Sequence, residues 1–226
     1  AIRLNSEVEN FNLKNVKDEL KVFSNQVKKD DVDEIFSWLE CLYEYYSRNY
    51  TLIYDRFDLH LAIDLVYHSP LQFTFQNHKN EKGWLDVLIL GDTSTGKTYA
   101  TKAMMDYFKL GDFISVKNNT RAGVLGGLEQ IGKFWRTEWG KFPLNDQQLL
   151  VVDEAGDLKQ IWNNLTTARD GEAELVNIRK VSTNSRTRVI WISNTKERRK
   201  ISSYFCGVQA VFEVVEKFED IRRFDL

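Results

Sequence analysis

The chain has 226 residues, 42% of them hydrophobic and 28% charged, which is enough to bury one sizeable core. An aromatic content of 13%, with only 2 prolines and 12 glycines, excludes a disordered or low-complexity chain. The 31 lysines and arginines nearly balance the 33 aspartates and glutamates, and the net charge is -2. Contact with nucleic acid would therefore require a local basic patch, because the charge of the whole chain does not attract it.

The cysteines and the apolar runs indicate in which cellular compartment the protein is expected. Cys41 and Cys206 lie far apart and outside any Cys/His cluster, which argues against a zinc site or a disulfide framework. The apolar runs are much shorter than the ~20 residues of a membrane span, and residues 1–30 lack the apolar core of a signal peptide. We therefore expect a cytoplasmic protein that does not enter a membrane.

Two amphipathic helices are predicted in the first part of the chain. From Asp31 to Arg48, apolar side chains recur at helical spacing behind an aspartate suited to capping the first turn. A second helix is predicted over Leu59 to Tyr67, and it ends before the Ser69-Pro70 step because a residue that precedes proline disfavours helical geometry. Residues 1–55 are predicted to form a small helical N-terminal segment.

After Gly83 the apolar pattern changes from helical spacing to short continuous runs, which are typical of buried parallel strands. The predicted strands are Trp84–Leu90, Leu149–Val152 and Arg188–Ser193, and the predicted helices between them are Lys97–Phe108 and Leu158–Thr167. This alternation predicts a three-layer α/β domain with a parallel sheet over residues 56–226.

A glycine-rich loop joins the first of these strands to the next helix. Its backbone N–H groups and the helix N-terminus can bind an anion, the lysine can reach the outer phosphates of a nucleotide, and the last hydroxyl can ligate magnesium. The predicted nucleotide-binding residues are Gly91, Asp92, Thr93, Ser94, Thr95, Gly96, Lys97 and Thr98. They form a complete Walker A motif and predict ATP and Mg²⁺ as the ligands.

Two adjacent carboxylates, Asp153 and Glu154, follow the strand that begins at Leu149. The carboxyl ends of parallel strands form the ligand crevice of an open α/β sheet. Asp153 is therefore predicted to hold the magnesium shell together with Thr98, and Glu154 to activate the attacking water. Such a pair is more often a simple turn when it stands alone, but the upstream Walker A motif favours the Walker B interpretation.

Asn194 ends the third predicted strand at the same edge of the sheet. Its amide could hydrogen-bond the γ-phosphate or the attacking water, which is the sensor role in oligomeric ATPases. The alternative is an ordinary asparagine turn at a strand end.

These motifs, in this order, resemble those of the AAA+ ATPases. The tail from Glu219 to Leu226 is similar to the S-R-F-D-L segment of the minichromosome maintenance (MCM) replicative helicases, with Arg223 at the position of its arginine. Three further segments resemble the same family: Thr120–Leu125, Gly132–Gly140, where the family has a hairpin inside a helix, and Asn184–Arg186. The resemblance covers residues 59–226.

The resemblance implies an ATPase that acts on DNA as a helicase or translocase in the replication of a chromosome or mobile element. It implies a homo-oligomer, a hexameric ring in which Arg223 acts in trans on the neighbour's ATP. The chain departs from the family at Gly96 and Thr98, where Ala-Lys-Ser is usual, and at Thr195, where proline is usual. Residues 1–55 do not resemble the family's amino-terminal part, and the lid and second sensor are expected to be absent.

Eight basic residues and one acid lie between Arg179 and Lys200, a local field that can hold phosphates without reading bases. A hairpin is predicted over Val176–Arg188, where the MCM family places its DNA-tracking pore hairpin. The candidate DNA-binding residues are Arg179, Lys180 and Arg186, and the alternative is a solvated charged face. Two other functions stay open: a AAA+ protein remodeller or transcription regulator without helicase activity, and a nucleotide-dependent scaffold with little turnover.

Overall fold

The computed structural model describes residues 32–75, 78–80, 82–118, 120–158, 162–176, 180–196, 199–215 and 217–226. The chain divides into two compact units, Ala1–Tyr45 and Tyr46–Leu226. Helix α1 spans Val32–Tyr46 and continues as a π-helical turn over Ser47–Thr51, so the predicted first helix is confirmed over its described part. In the ranges given above, no helix has the length and the apolar composition to cross a membrane.

The second unit alternates helices and strands. Its helices are α2 (Phe57–His68), α3 (Lys97–Phe108), α4 (Arg121–Val124), α5 (Lys141–Leu144), α6 (Trp162–Arg169), α7 (Gly207–Val214) and α8 (Phe218–Ile221). Its strands are β1 (Phe73–Phe75), β2 (His78–Asn80), β3 (Asp86–Gly91), β4 (Asp112–Ser115), β5 (Gly126–Ile131), β6 (Phe134–Trp139), β7 (Leu149–Asp153), β8 (Glu172–Val176), β9 (Lys180–Asn184) and β10 (Arg188–Asn194).

Four of these strands form one sheet in the order β3-β10-β7-β4, and every neighbouring pair is parallel. Trp191 of β10 belongs to a buried cluster with Trp162 and Leu165 of α6, whereas α2 packs against β3 and β10. Successive side chains of a strand point to opposite faces, so the adjacent Ile190, also fully buried, turns away from Trp191. The domain is therefore α/β, with a four-stranded parallel sheet and helices.

Among the described residues, three antiparallel strand pairs lie outside this sheet: β1 with β2, β5 with β6, and β8 with β9. Strands β5 and β6 pair from Gly126–Trp139 to Ile131–Phe134 around a turn in which Gly132 has a φ of 63°. The hairpin predicted within residues 132–140 therefore begins earlier along the chain. The hairpin predicted over Val176–Arg188 also begins earlier, at Glu172 of β8, whereas β9 lies within the predicted range. Ala173 and Leu175 of β8 are buried, a period-two pattern that the neighbouring helix-favouring glutamates obscure.

The end of the chain lies beside the first strand of the sheet. The backbone N–H of Asp225 donates to the carbonyl of Asp86 at 2.8 Å, and that of Leu88 donates to the carbonyl of Leu226 at 3.0 Å. The Asp225 carboxylate also accepts from the N–H of Asp86 at 2.8 Å. These contacts anchor the tail at the amino-terminal half of β3, away from the glycine-rich loop that follows its carboxyl end.

Candidate nucleotide-binding site

The register of the parallel sheet brings the predicted site residues to one edge. Asn194 lies opposite Gly91, and Asp153 is paired both with Ile192 and with Ser115. Gly91, Ser115, Asp153 and Asn194 are the last residues of their strands, and Ile192 lies two residues before the end of its strand, so these positions share the edge where open α/β sheets bind ligands. A cavity of about 310 Å³ opens at this edge, and its lining includes residues 93–99 of the loop, Asp153, Glu154 and Asn194.

The loop needs glycine where it turns into α3. Gly96 has a φ of 84°, a conformation that side-chain-bearing residues rarely adopt. A Cβ atom on Gly96 would lie 2.3 Å from Cδ1 of Ile53, so the Ile53 side chain would have to shift to admit a side chain there. The loop is therefore shaped by backbone conformation and by a residue from the segment that precedes α2.

The side chain of Lys97 folds over the glycine-rich loop, and the residue is 8% exposed. Its ammonium donates to the carbonyl oxygens of Gly91 at 2.9 Å and Asp92 at 2.6 Å, and to Oδ1 of Asn194 at 3.1 Å. Burial lowers the pKa of Lys97, while the charges of Asp153 and Asp92 oppose that shift. Its partners in these three bonds are neutral oxygens, which an anionic phosphate would outcompete because hydrogen bonds between charged groups are stronger.

Thr98 and Asp153 provide two adjacent oxygen ligands. The Thr98 hydroxyl donates to Oδ2 of Asp153 at 3.0 Å, across the gap between α3 and β7. A hydroxyl beside a carboxylate fits Mg²⁺, which protein sites hold through one or two carboxylates while phosphates and waters complete the shell. Groups of three or more His, Cys, Asp or Glu side chains that could hold a metal do not occur among the described residues.

Glu154 has two partners that the sequence did not indicate. Its carboxylate accepts a hydrogen bond from the Ser115 hydroxyl at 2.8 Å and forms an ion pair with the Lys117 ammonium. Partial burial acts to raise the pKa of Glu154, but the bonds from Lys117 and Ser115 and the charge of Lys117 outweigh it, and the pKa is lowered. Glu154 also has a φ of 61°, a strained left-handed conformation that turns its side chain toward β4.

The structure does not bring Arg223 to the nucleotide site of its own chain. Its guanidinium donates through Nε and Nη2 to the carboxylate of Asp170 at 3.3 and 3.4 Å, and through Nη1 to the carbonyl of Glu219 at 3.0 Å. The tail that carries Arg223 is anchored at Asp86, whereas the glycine-rich loop begins at the other end of the six-residue strand β3. That strand is roughly 17 Å long at about 3.3 Å per residue.

The candidate DNA-binding residues differ in their surroundings. Arg179 lies outside the described residues. Lys180 is exposed and forms an ion pair with Glu174 at 2.7 Å across its own hairpin. Arg186 donates to both carboxylate oxygens of Asp146, at 3.1 and 2.7 Å, and these bonds together with the charge of Asp146 raise the pKa of Arg186. The backbone N–H of Arg186 also donates to Asp146 at 2.7 Å and helps to lower the pKa of that carboxyl. Arg186 therefore serves the structure where β9 passes into β10.

No protein-family model and no curated protein sequence matches the chain.

Proposed function

We propose that the chain is an ATP-hydrolysing P-loop NTPase of the AAA+ class that its motifs resemble. The observation that carries the proposal is the convergence of Lys97, Thr98, Asp153 and Asn194 at the edge where β3, β7 and β10 end. A lysine, a hydroxyl, a carboxylate and an amide around a helix N-terminus are the groups that phosphoryl transfer from a nucleotide requires.

Each group has a separate task in the proposed reaction. The backbone N–H groups of the loop and the Lys97 ammonium hold the outer phosphates, and Asn194 orients the γ-phosphate or the water. Thr98 and Asp153 would hold Mg²⁺, which neutralises developing charge on the phosphates when it is bound. Catalysis then depends on positioning and charge, because little covalent chemistry is left for the protein.

Glu154 is the proposed proton acceptor. As the oxygen of water bonds to the γ-phosphorus, the bond from that phosphorus to the bridging oxygen breaks, ADP leaves, and the water proton passes to the Glu154 carboxylate. The ion pair with Lys117 lowers the pKa of Glu154 and so makes that carboxylate a weaker base. Arg223 of a second copy is proposed to meet the charge of the transition state.

The proposed partner on which the motor acts is DNA. Lys180 is exposed on the β8–β9 hairpin, next in sequence to Arg179, and the MCM family places its pore hairpin in this segment. The ion pairs of Lys180 with Glu174, Arg186 with Asp146 and Arg199 with Glu213 leave a weaker local field than the sequence suggests. Those pairs favour the second candidate, a AAA+ motor that moves a protein partner, and ATPase rates measured with and without DNA distinguish the two.

The test of the nucleotide site compares three variants by titration calorimetry and phosphate release. Lys97→Ala should lose ATP binding, because it removes the positive charge at the outer phosphates. Glu154→Gln should bind ATP but lose turnover, because it removes only the proton acceptor. Lys102→Ala is the matched control, since Lys102 is an exposed lysine of the same helix that lies over the ring of Phe113. Equal ATP affinity in the wild type and Lys97→Ala contradicts the assignment, and binding without turnover in the wild type indicates the scaffold.

A further inference from the structure

Two consecutive residues at the end of α6 hold two consecutive residues of the C-terminal tail. Arg169 contacts Phe224, with the guanidinium carbon 4.3 Å from the centre of the ring, and Asp170 contacts Arg223 through two hydrogen bonds. The polar backbone of the tail is held as well, because Nη1 of Arg169 donates to the carbonyl of Asp220 at 3.3 Å. Residues 169 and 170 together therefore hold the C-terminal tail, and we call this pair of residues the platform.

Arg169 fixes this platform to the sheet. Its side chain is 1% exposed, and Nε donates to Oδ2 of Asp86 at 2.6 Å, where the aspartate is equally buried. The indole N–H of Trp191 donates to the other carboxylate oxygen of Asp86. An arginine whose Nε is bonded to a buried carboxylate and whose guanidinium lies over aromatic rings has little rotational freedom, so its position is set by β3 and β10.

Asp170 holds the guanidinium of Arg223 in a particular orientation. The Asp170 carboxylate accepts hydrogen bonds from Nε and Nη2 of Arg223, and the Glu219 carbonyl accepts one from Nη1. A guanidinium has five N–H donors, and these three bonds leave two of them for a further acceptor. Oδ1 of Asp220 lies 3.9 Å from Nη1, so a second carboxylate faces the guanidinium as well.

We propose that Asp170 is a positioning residue for Arg223 and that it holds the guanidinium in the orientation in which it meets the nucleotide of a second copy of this chain. The inference rests on the proposed function, in which Arg223 acts in trans. Its physical reason is preorganisation. An arginine already held in place does not lose side-chain freedom when the transition state forms, and a small misplacement of a catalytic cation can lower the rate by up to about 100-fold.

The test mixes two subunits that are each inactive. Lys97→Ala has no working nucleotide site but keeps Arg223, so it serves as the donor, and Arg223→Ala keeps the nucleotide site, so it serves as the acceptor. We expect hydrolysis to recover at mixed interfaces. Adding Asp170→Asn to the donor should lower the recovered rate about tenfold with an unchanged KM, whereas adding it to the acceptor should leave the rate unchanged.

Two controls separate positioning from general damage. Glu172→Gln in the donor removes the same charge two residues away and should leave the recovered rate unchanged, and Asp170→Glu should restore part of the loss. The melting temperature and the ATP affinity of an otherwise wild-type Asp170→Asn subunit should match those of the wild type. Equal losses in donor and acceptor, or no loss in either, overturn the role of Asp170. Absence of recovery in the parent mixture, in verified mixed assemblies, overturns the action of Arg223 in trans and this inference with it.

Discussion

The Lys97 ammonium lies 3.1 Å from Oδ1 of Asn194 and thereby joins the carboxyl ends of the neighbouring strands β3 and β10. The contact orients the amide, because a lysine donates hydrogen bonds only and so faces the oxygen of Asn194. The amide nitrogen is then the atom of Asn194 that can donate to a phosphate or a water. A strand-end turn alone would not require this orientation.

Asn194→Ala should therefore affect turnover more than ATP binding. We expect kcat to fall about 100-fold, the effect of removing one positioned hydrogen-bond donor, while ATP affinity changes less because Lys97 and the loop remain. Steady-state phosphate release and titration calorimetry measure the two quantities. Asn184→Ala, at an exposed position on β9, is the control. A parallel loss of affinity and rate would instead indicate that Asn194 serves mainly to hold the lysine.

The Gly96–Ile53 contact gives a second prediction. Gly96→Ala should destabilise the fold and weaken ATP binding, because it forces a side chain into a left-handed conformation and against Cδ1 of Ile53. Gly132→Ala is a matched control, since Gly132 also has a positive φ but a Cβ there would meet no atom within 4 Å. We expect Gly96→Ala to lower the free energy of unfolding by at least about 1 kcal/mol more than Gly132→Ala.

Urea unfolding of the single and double variants completes this test. Ile53→Ala should relieve part of the effect of Gly96→Ala, because it removes the clash and leaves only the backbone strain. If the two substitutions are strictly additive, Ile53 does not pack against the loop as described.

The contiguous parts of the site were predictable from sequence and the distant contacts were not. The glycine-rich loop, Asp153 and Glu154 follow apolar runs directly, so local pattern places them at strand ends. Predicting the position of Asn194 required one further assumption, namely that its strand belongs to the same sheet. Ser115 and Lys117 reach Glu154 across 39 and 37 residues because β4 pairs with β7, and the order of strands in a sheet is not encoded in any local pattern.

The count of charges along the basic segment overestimates the positive charge available to a ligand, because two of its arginines have partners in the structure. Arg186 and Arg188 both add to the positive charge that is counted along the sequence of the segment. In three dimensions Arg186 is paired with Asp146, and Arg188 donates to the carbonyl of Ser69 at 2.9 and 2.7 Å. Both partners are distant in sequence, so a charge count along the chain could not reveal them.

The Lys117–Glu154 ion pair predicts a pH effect. A lowered pKa keeps the carboxylate charged to lower pH, so the acid limb of kcat/KM for ATP hydrolysis should lie below the usual range of a glutamate. Lys117→Met removes the charge and leaves the partial burial, which raises the pKa, so the limb should move to higher pH. Lys141→Met, which removes a lysine paired with Asp112, is the control and should leave the limb in place. An acid limb that Lys117→Met does not move would remove Glu154 from the role of proton acceptor.

The last prediction concerns DNA binding and distinguishes the structural role of Arg186 from the proposed phosphate contacts of Arg179 and Lys180. Arg186→Ala should lower the free energy of unfolding, because it leaves the half-buried carboxylate of Asp146 without its bidentate partner. Any loss of DNA affinity in that variant is then not a measure of a phosphate contact. Urea unfolding identifies this effect and should show no comparable change in Lys180→Ala, whose side chain is exposed.

The informative variant is therefore Arg179→Ala combined with Lys180→Ala. Phosphate contacts release counterions and do not read sequence, so this double substitution should weaken binding to all DNA sequences alike and reduce the salt dependence of log K by about one unit per lost contact. ATP affinity should survive, because neither residue belongs to the glycine-rich loop. Glu174→Gln should act in the opposite direction, since it frees the Lys180 ammonium from its ion pair at 2.7 Å. Fluorescence anisotropy with labelled oligonucleotides across a salt series, on assembled and ATP-bound protein, measures both slopes. If neither variant changes the affinity or the slope, the segment is a solvated face, and the motor that moves a protein partner becomes the better proposal.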